Sequence, residues 1–261
     1  MTLEIALVLL AGGFGAGFLT GLLGVGGGVV MVPLLYQIQL YLGQDSKTAF
    51  ISAVATSLAV IIVSGAFAAR IHYRNGLLER RLLVWTGLGT VFGGIIGSNI
   101  LVAADDAVVR FTFGLFLWAL AGTMFLPPVR PHAHAASAAY NAGLVLTGAL
   151  MGLAAALFGI GGSTLVVPAL MLFFDVPIHK AIATAAALIV ATALVGAGAY
   201  VVHGDLAGEQ FIDPLKVALL LPGALIATRF AIELAMRYSR ERLRFAMVLL
   251  QLAIGARFLF F

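Results

Sequence analysis

The sequence predicts an all-α polytopic membrane protein built from two inverted-topology repeats, each with a broken or re-entrant helical hairpin and three transmembrane helices. Three observations predict this architecture. Of the 261 residues, 62% are hydrophobic and 10% are charged. Several apolar stretches reach about eighteen residues, the length at which a helix can cross a bilayer. Glycine clusters interrupt two of these stretches, and the sequence around the clusters occurs twice along the chain.

Composition argues against several other classes of protein. A transmembrane β-barrel alternates apolar and polar residues over short strands, whereas residues 54–69 form an apolar run without that alternation. The chain has no cysteine, which excludes disulfides, thiolate nucleophiles and thiolate metal sites. The net charge of +4 comes from basic residues in short loops, and the positive-inside rule explains them without nucleic acid.

Ten apolar segments follow one another, five in each half of the chain. The first repeat, residues 1–127, holds segments at 3–23, 29–42, 49–69, 82–103 and 108–126. The second repeat, residues 140–261, holds segments at 141–158, 164–174, 181–202, 214–235 and 243–261. A linker at residues 128–139 separates them. The first segment is predicted to be a helix and not a removable signal, because no small-residue cleavage site follows a short apolar core.

The two halves match residue by residue, and not only in hydropathy. Three blocks recur at nearly constant offsets. Gly24 and Pro33 recur as Gly159 and Pro168 (159 − 24 = 135), and Ala55 and Thr56 recur as Ala183 and Thr184 (183 − 55 = 128). Arg110 and Phe111 recur as Arg244 and Phe245 (244 − 110 = 134). Small changes of offset between blocks are what loop insertions produce. Internal duplication of this length is typical of secondary transporter folds.

Loop charge predicts that the repeats are inverted relative to each other. Basic residues concentrate near 70–81, 130 and 237–244, whereas the loops near 105–106 and 205–213 are acidic. By the positive-inside rule the basic loops face the cytoplasm. The basic loop follows the third segment in the first half and the fourth in the second, so each half must cross the membrane an odd number of times. Three spans and one hairpin that enters and returns satisfy this count; uninterrupted first spans would make the repeats parallel instead.

The glycine breaks are the predicted substrate site. A helix is interrupted at membrane depth only where protein or water satisfies the freed backbone groups. We expect a short helix to begin close to Pro33 and another close to Pro168, with the valines before Pro33 extended. The first amides of a helix are unpaired and its N-terminus carries partial positive charge, so both helix starts would bind an anion. The alternative is that the glycines serve only close helix packing.

Glycines, hydroxyl groups and cations make up the predicted binding residues. The glycines allow backbone to approach an oxyanion, the hydroxyls donate to it, and the cations attract it to the mouth of the site. Local hydrogen bonding of the hydroxyls and snorkelling of the cations are the alternatives. The candidates are Gly26, Gly27, Gly28, Gly161, Gly162, Ser163, Thr164, Thr56, Ser57, Thr184, Lys47, Lys180 and Arg229.

These motifs resemble a known family. The duplicated glycine break with its following proline, the Ala-Thr-Ser at residues 55–57, and His179-Lys180-Ala181 leading into Thr184 are similar to the sulfite exporter TauE/SafE family of membrane permeases. The resemblance covers nearly the whole chain and implies transport of a small sulfur-containing anion: sulfite, thiosulfate, a sulfonate or sulfoacetate. The chain departs from the family pattern at Ala185, where a serine is expected, so the two half-sites are predicted to be chemically unequal.

No catalytic constellation is visible, and we expect a transporter in the cell membrane without cofactor or metal. The expected partners are a small anionic substrate and the lipid bilayer, with a homo-oligomer left open. An anion channel using the same helix ends is the first alternative. An intramembrane enzyme is the second, motivated only by His179 and the linker residues His132 and His134. Cation transport is disfavoured because the apolar segments hold no Asp or Glu except the terminal Glu4 and Glu233.

Overall fold

The protein is a bundle of α-helices arranged around the two glycine breaks. The computed structural model describes residues 3–23, 27–123, 138–235 and 240–260. Every regular element in these ranges is an α-helix, so the predicted all-α membrane fold is confirmed. In chain order they are α1 Leu3–Leu23, α2 Gly28–Tyr41, α3 Ser46–Arg74, α4 Arg80–Ala103, α5 Asp106–Thr123, α6 Ala138–Phe158, α7 Ser163–Phe173, α8 Ile178–Ala207, α9 Pro214–Ala235 and α10 Arg240–Phe260.

Six of these helices are long and apolar enough to cross a membrane: α1, α3, α4, α6, α8 and α9. Their ends follow from local chemistry. The Asp45 side chain caps α3 by accepting a hydrogen bond from the Thr48 amide at 2.9 Å. The left-handed backbone of Gly208, with φ at +70°, ends α8, and its amide bonds back to the last helical turn.

Glycines bring α1 and α9 into backbone contact. Successive glycines of α1 meet successive residues of α9 in the same order along the chain: Gly13 with Leu220, Gly17 with Ala224, and Gly21 with Thr228. A Cβ atom at any of the three would overlap the partner backbone. The two helices are therefore parallel, because the contacts advance together, and small residues are what permit such close approach.

A second parallel pair, α4 and α6, has the same construction. Its contacts again advance together along both helices: Gly89 with Val145, Gly93 with Ala149, and Gly97 with Leu153. Each pair joins the first helix of one half to the fourth helix of the other. Several other contacts follow this exchange. The third helices α3 and α8 pack on each other, as do the fifth helices α5 and α10; α4 on α8 matches α9 on α3, and α2 on α3 matches α7 on α8. The packing of α6 on α8 has no counterpart of similar extent between α1 and α3 among the described residues.

Two polar contacts locate the ends of the bundle. The Ser52 hydroxyl of α3 donates to the Phe211 carbonyl just ahead of α9, at 2.7 Å, so α3 and α9 begin at one end, called here the first end. Lys180 of α8 pairs with Glu79 just ahead of α4, at 3.4 Å, so α8 and α4 begin at the other, second end. Because α1 is parallel to α9, and α6 to α4, the two halves start at opposite ends.

Aromatic side chains form the core beside the breaks. Phe113 of α5 contacts the Phe258 ring at a centroid distance of 4.9 Å, the Phe158 ring at 5.4 Å and the Phe50 ring at 5.8 Å. Phe158 is the last residue of α6, immediately before the second break. This ring therefore packs in the aromatic core directly beside the second break.

Candidate functional site: two facing helix breaks

Both breaks have the same length and the same helix start. Residues 24–27 separate α1 from α2, and residues 159–162 separate α6 from α7. The prediction that the short helices begin close to the prolines is wrong. The helices begin at Gly28 and Ser163, and each proline lies five residues further on (33 − 28 = 168 − 163 = 5). The valines between are helical because unpaired backbone in hydrocarbon costs several kcal/mol, which outweighs the extended preference ahead of proline.

The two helix starts share one hydrogen-bond pattern. In each, the carbonyl just before the helix accepts the first two helical bonds: Gly27 from Val30 and Met31 at 3.1 and 3.0 Å, and Gly162 from Leu165 and Val166 at 3.1 and 3.4 Å. The two amides ahead of these in each helix lie outside the helical ladder, as at any helix N-terminus. Two sets of backbone donors, with the positive ends of two helix dipoles, therefore stand at the breaks.

The start of α2, directly after the first break, touches the second break. Gly28, the first residue of α2, packs against the Gly159 carbonyl and lies so close to Ile160 that a Cβ atom on Gly28 would be 2.5 Å from the Ile160 Cα. Ser57 of α3 lies in the same contact, and its hydroxyl donates to the Gly159 carbonyl at 2.9 Å. The first half thus meets the second break through both backbone and side chain.

The second break needs glycine for conformation as well as space. Gly159, Gly161 and Gly162 have φ values of +64°, +73° and +71°, in the left-handed region that other residues avoid. At the first break Gly27 has a φ of −60°, which any residue adopts. Gly27 is nevertheless in tight contact, because a Cβ atom there would lie 2.6 Å from the Ala16 Cβ.

All four described candidate glycines, Gly27, Gly28, Gly161 and Gly162, are buried. A Cβ atom on Gly161 would meet the Ile189 side chain at 2.5 Å, and one on Gly162 would meet the Met151 side chain at 2.5 Å. In this conformation the breaks are closed against protein. Gly26 and the side chains of Ser163 and Thr164 lie outside the described residues, although the backbone of the latter two forms the first turn of α7.

The predicted hydroxyls divide into three environments. Ser57 contacts the second break as expected. Thr56, also expected to face a hairpin, instead binds the segment before α9: it donates to the Phe211 carbonyl at 3.4 Å and accepts from the Asp213 amide at 3.2 Å. Adjacent residues of a helix point in different directions, which separates these two neighbours. Thr184 is fully buried, and its hydroxyl has no hydrogen-bond partner among the described residues.

The predicted cations are exposed and lie near helix ends. Lys47 is on the first turn of α3, ten residues before Ser57, or about 15 Å along the helix at 1.5 Å per residue. Lys180, on the first turn of α8, forms the ion pair with Glu79 instead of standing open to an anion. Arg229 is exposed on α9. The structure therefore brings Ser57 and Gly28 together at Gly159 and leaves these three cations outside that contact.

Comparison with known proteins gives the family. The family described as Sulfite exporter TauE/SafE matches residues 9–258. The chain belongs to this family. Similar proteins include the probable membrane transporter protein YunE of Bacillus subtilis strain 168, 26% identical over 97% of both chains, and the probable membrane transporter protein MJ0441 of Methanocaldococcus jannaschii, 25% identical over 97% of this chain and 94% of that one.

A third relative is a probable membrane transporter protein of Xylella fastidiosa strain 9a5c, 31% identical over 88% of both chains. No solved structure matches the chain significantly. This TauE/SafE protein is thus a membrane-embedded transporter, in agreement with its six apolar helices of spanning length. The resemblance inferred from the duplicated motifs is confirmed.

The TauE/SafE protein also has a buried polar cluster that sequence reasoning missed. We define it as Gln39 of α2, Ser52 and Thr56 of α3, Asp213 before α9 and Lys216 of α9. Gln39 donates to the Ser52 hydroxyl at 2.6 Å, and the Lys216 ammonium donates to the Gln39 side-chain oxygen at 2.7 Å. Lys216 is only 4% exposed and forms an ion pair with Asp213 at 3.0 Å.

The charge of Lys216 governs the ionisation of Asp213. Burial by itself raises the pKa of the Asp213 carboxyl, but hydrogen bonds from Lys216 and its positive charge outweigh this effect. The pKa of Asp213 therefore lies below the ordinary value of 3.8, and its carboxylate is ionised at neutral pH. The sequence does contain a signal for this cluster: a polar residue lies inside each of two apolar stretches, Gln39 in 29–42 and Lys216 in 214–235.

Two arginines distant in sequence share one opening beside α2. A cavity of about 210 Å³ is lined by Tyr36, Gln37, Leu40, Arg110, Arg257 and Phe258.

Gln251 of α10 is fully buried, and neither polar atom of its amide has a hydrogen-bond partner among the described residues. The side chain of His179 and the whole of His132 and His134 lie outside the described residues.

Proposed function

We propose that this protein is a secondary transporter of a small sulfur-containing oxyanion in the cell membrane, and that it works by alternating access around the two breaks. The observation that carries the proposal is the contact of Gly28, at the start of α2, with Gly159 and Ile160 of the opposite break. This contact sets the N-terminus of α2 against the start of the second break, three to four residues ahead of the N-terminus of α7. Helix starts of this kind bind anions without a basic side chain.

The substrate class is supported by chemistry and by family. An oxyanion presents several acceptor oxygens, which suit the backbone amides at both helix starts and the Thr184 hydroxyl, for which the described residues hold no partner. The family description names sulfite export, whereas the curated relatives are described only as probable membrane transporters. Sulfite, thiosulfate, a sulfonate and sulfoacetate are the members of the class to test first.

The packing of the helices supports alternating access. In this conformation the breaks are closed on each other, so a bound anion must separate them. We take the halves as residues 1–127 and 140–261. They begin at opposite ends of the bundle, and several of their helix contacts have a counterpart on exchange, a pattern that supports inverted repeats. Rocking one half against the other would open the breaks first to one end and then to the other.

Uptake into proteoliposomes tests the proposal. The purified protein should take up at least one anion from a panel of sulfite, thiosulfate, sulfoacetate and taurine, with saturation and with acceleration by the same anion trapped inside. Flux that stays linear with concentration and shows no such counterflow would identify an anion channel instead. Failure to take up or bind any anion of the panel would reject the substrate class.

A threonine pair tests the site itself. Replacing Thr184 by the isosteric valine removes a buried hydroxyl that has no partner among the described residues, so stability should be unchanged or slightly higher. Affinity for the transported anion should fall by about tenfold if this hydroxyl donates to it. Thr192→Val is the matched control on the same helix, because its hydroxyl donates to the Leu188 carbonyl within α8 at 2.6 Å. Equal affinities of both variants would exclude Thr184 from the site.

A further inference from the structure

Lys216 is a cation buried where the fold does not need one. It is the third residue of α9, and its residue surface is 4% exposed. A positive charge in the first turn opposes the helix dipole, and burial removes its hydration. The corresponding third residue of α4 in the other half is Leu82, which is 1% exposed and packs in an apolar cluster. A leucine therefore fills the equivalent place in the same architecture.

The polar cluster lies between the breaks and the first end. Ser52 belongs to the cluster and Ser57 contacts the second break, and their separation of five positions corresponds to about 7.5 Å along α3. Gln39, which accepts from Lys216, is on α2, the helix whose first residue touches the opposite break. Ser52 of the cluster thus stands between one and two helical turns from the contact of Ser57 with the second break, on the side where α3 begins.

The counter-ion of Lys216 has two separable roles. One carboxylate oxygen of Asp213, Oδ1, caps α9 by accepting from the Leu215 and Lys216 amides at 3.0 and 3.2 Å. The other, Oδ2, pairs with the Lys216 ammonium at 3.0 Å. The side chain of Asp213 is 34% exposed, whereas that of Lys216 is 5% exposed. The carboxylate oxygen can therefore turn into water while the ammonium stays buried.

We propose that Lys216 is a binding residue for the transported anion on its path between the first end and the breaks, where the anion replaces Asp213 as the counter-ion of the ammonium. The inference rests on the proposed function. Lys216 supplies the path of the anion with a positive side chain. The described residues of the breaks carry no charged side chain. Gln39 connects the ammonium to α2, so occupancy at Lys216 acts directly on one arm of the first hairpin.

Charge-changing variants of the pair test this role through the KM for uptake of sulfite, or of the panel anion that the wild-type protein transports. Lys216→Leu, which copies Leu82, should raise KM by about tenfold or more, because a charge-assisted hydrogen bond is lost. Asp213→Asn keeps a capping side chain at the start of α9 and removes the competing negative charge, so it should lower KM. Arg74→Leu, which removes an exposed cation at the end of α3, is the control.

The double variant separates binding from structural pairing. If Lys216 binds the anion, Lys216→Leu combined with Asp213→Asn keeps the high KM of the lysine variant. If the pair only stabilises the fold, both single variants lose uptake and the double variant regains it, which would overturn the inference. If the Lys216→Leu variant fails to fold, the Asp213→Asn variant still tests the inference: an unchanged or higher KM for uptake would reject the role of Lys216 in anion binding. Absence of all uptake by wild-type protein would instead reject the proposed function, and the role of Lys216 with it.

Discussion

Ser57 of α3 donates its hydroxyl hydrogen to the carbonyl of Gly159, 2.9 Å away, so a side chain of the first half pairs with the broken backbone of the second. The same hydroxyl lies 2.8 Å from the Val54 carbonyl in its own helix. The position equivalent to Ser57 in the second half is Ala185, which has no hydroxyl. The two breaks are therefore held in chemically different ways, although their lengths and helix starts are the same.

Replacing Ser57 by alanine should destabilise the protein by about 1–3 kcal/mol, because the buried Gly159 carbonyl loses a donor. The melting temperature in detergent measures this loss. Ser64→Ala is the matched control, since Ser64 lies on the same helix and donates only to the Val60 carbonyl four residues before it. That local bond adds little to a helix, so the control should melt close to the wild type. Equal melting of both variants would contradict the role given to Ser57.

Replacing Gly28 by alanine should force the two breaks apart. The added Cβ atom would overlap the Gly159 carbonyl, and backbone cannot move aside as cheaply as a flexible side chain. We expect a loss of about 1–3 kcal/mol from overpacking, together with reduced anion uptake. Gly198→Ala is the comparison, because nothing lies within 4 Å of its Cβ position on α8 and alanine favours helix. A Gly28→Ala protein with wild-type melting and uptake would show that the breaks do not touch.

Two glycines of α4 should respond differently to the same substitution. A Cβ atom on Gly93 would lie 2.7 Å from the Ala149 carbonyl carbon of α6, whereas one on Gly87 would meet only the Leu188 side chain at 3.6 Å. Gly93→Ala should therefore lower the melting temperature, and Gly87→Ala should leave it unchanged or raise it. Equal effects at the two positions would contradict the close packing of α4 on α6.

Asp45 should make a pH-dependent contribution to stability as the cap of α3. Asp45→Ala should cost about 1 kcal/mol at neutral pH, and Asp45→Asn much less, because asparagine also caps. The hydrogen bond from the Thr48 amide lowers the pKa of Asp45 below its ordinary value of 3.8. The stabilisation is then complete above that value and is lost as the pH falls through the lowered pKa. Thermal melts of the three proteins between pH 7 and pH 3 should show wild type and Asp45→Ala converging.

The order of the helices could be predicted because its signals are local. The length of the apolar stretches predicted the long helices; for example, the predicted segment 49–69 lies inside α3, Ser46–Arg74. The glycine clusters marked both turns, and their duplication indicated the family. The helix starts could not be placed this way, since the local bias ahead of Pro33 opposes the need of buried backbone for partners, and the second effect is larger.

The polar cluster could not be predicted because it depends on packing between distant segments. Lys216 and Gln39 are 177 residues apart in sequence and meet only when α2 and α9 are both in place. Thr56 and Ser57 are neighbours in sequence, yet one binds the segment before α9 and the other binds the second break. Which way a helical residue points relative to a remote element is not encoded in a short motif. The roles of the glycines and hydroxyls in anion binding stay predictions.

The exchange of partners between the halves has a consequence for biosynthesis. The glycine face of α1 packs on α9, which a ribosome makes only near the end of the chain. Until then the backbone of α1 meets lipid tails that cannot approach it as closely as another helix does. The newly inserted first repeat therefore lacks the packing partner of its first helix. The native contact of α1 forms only after α9 of the second repeat has entered the bilayer.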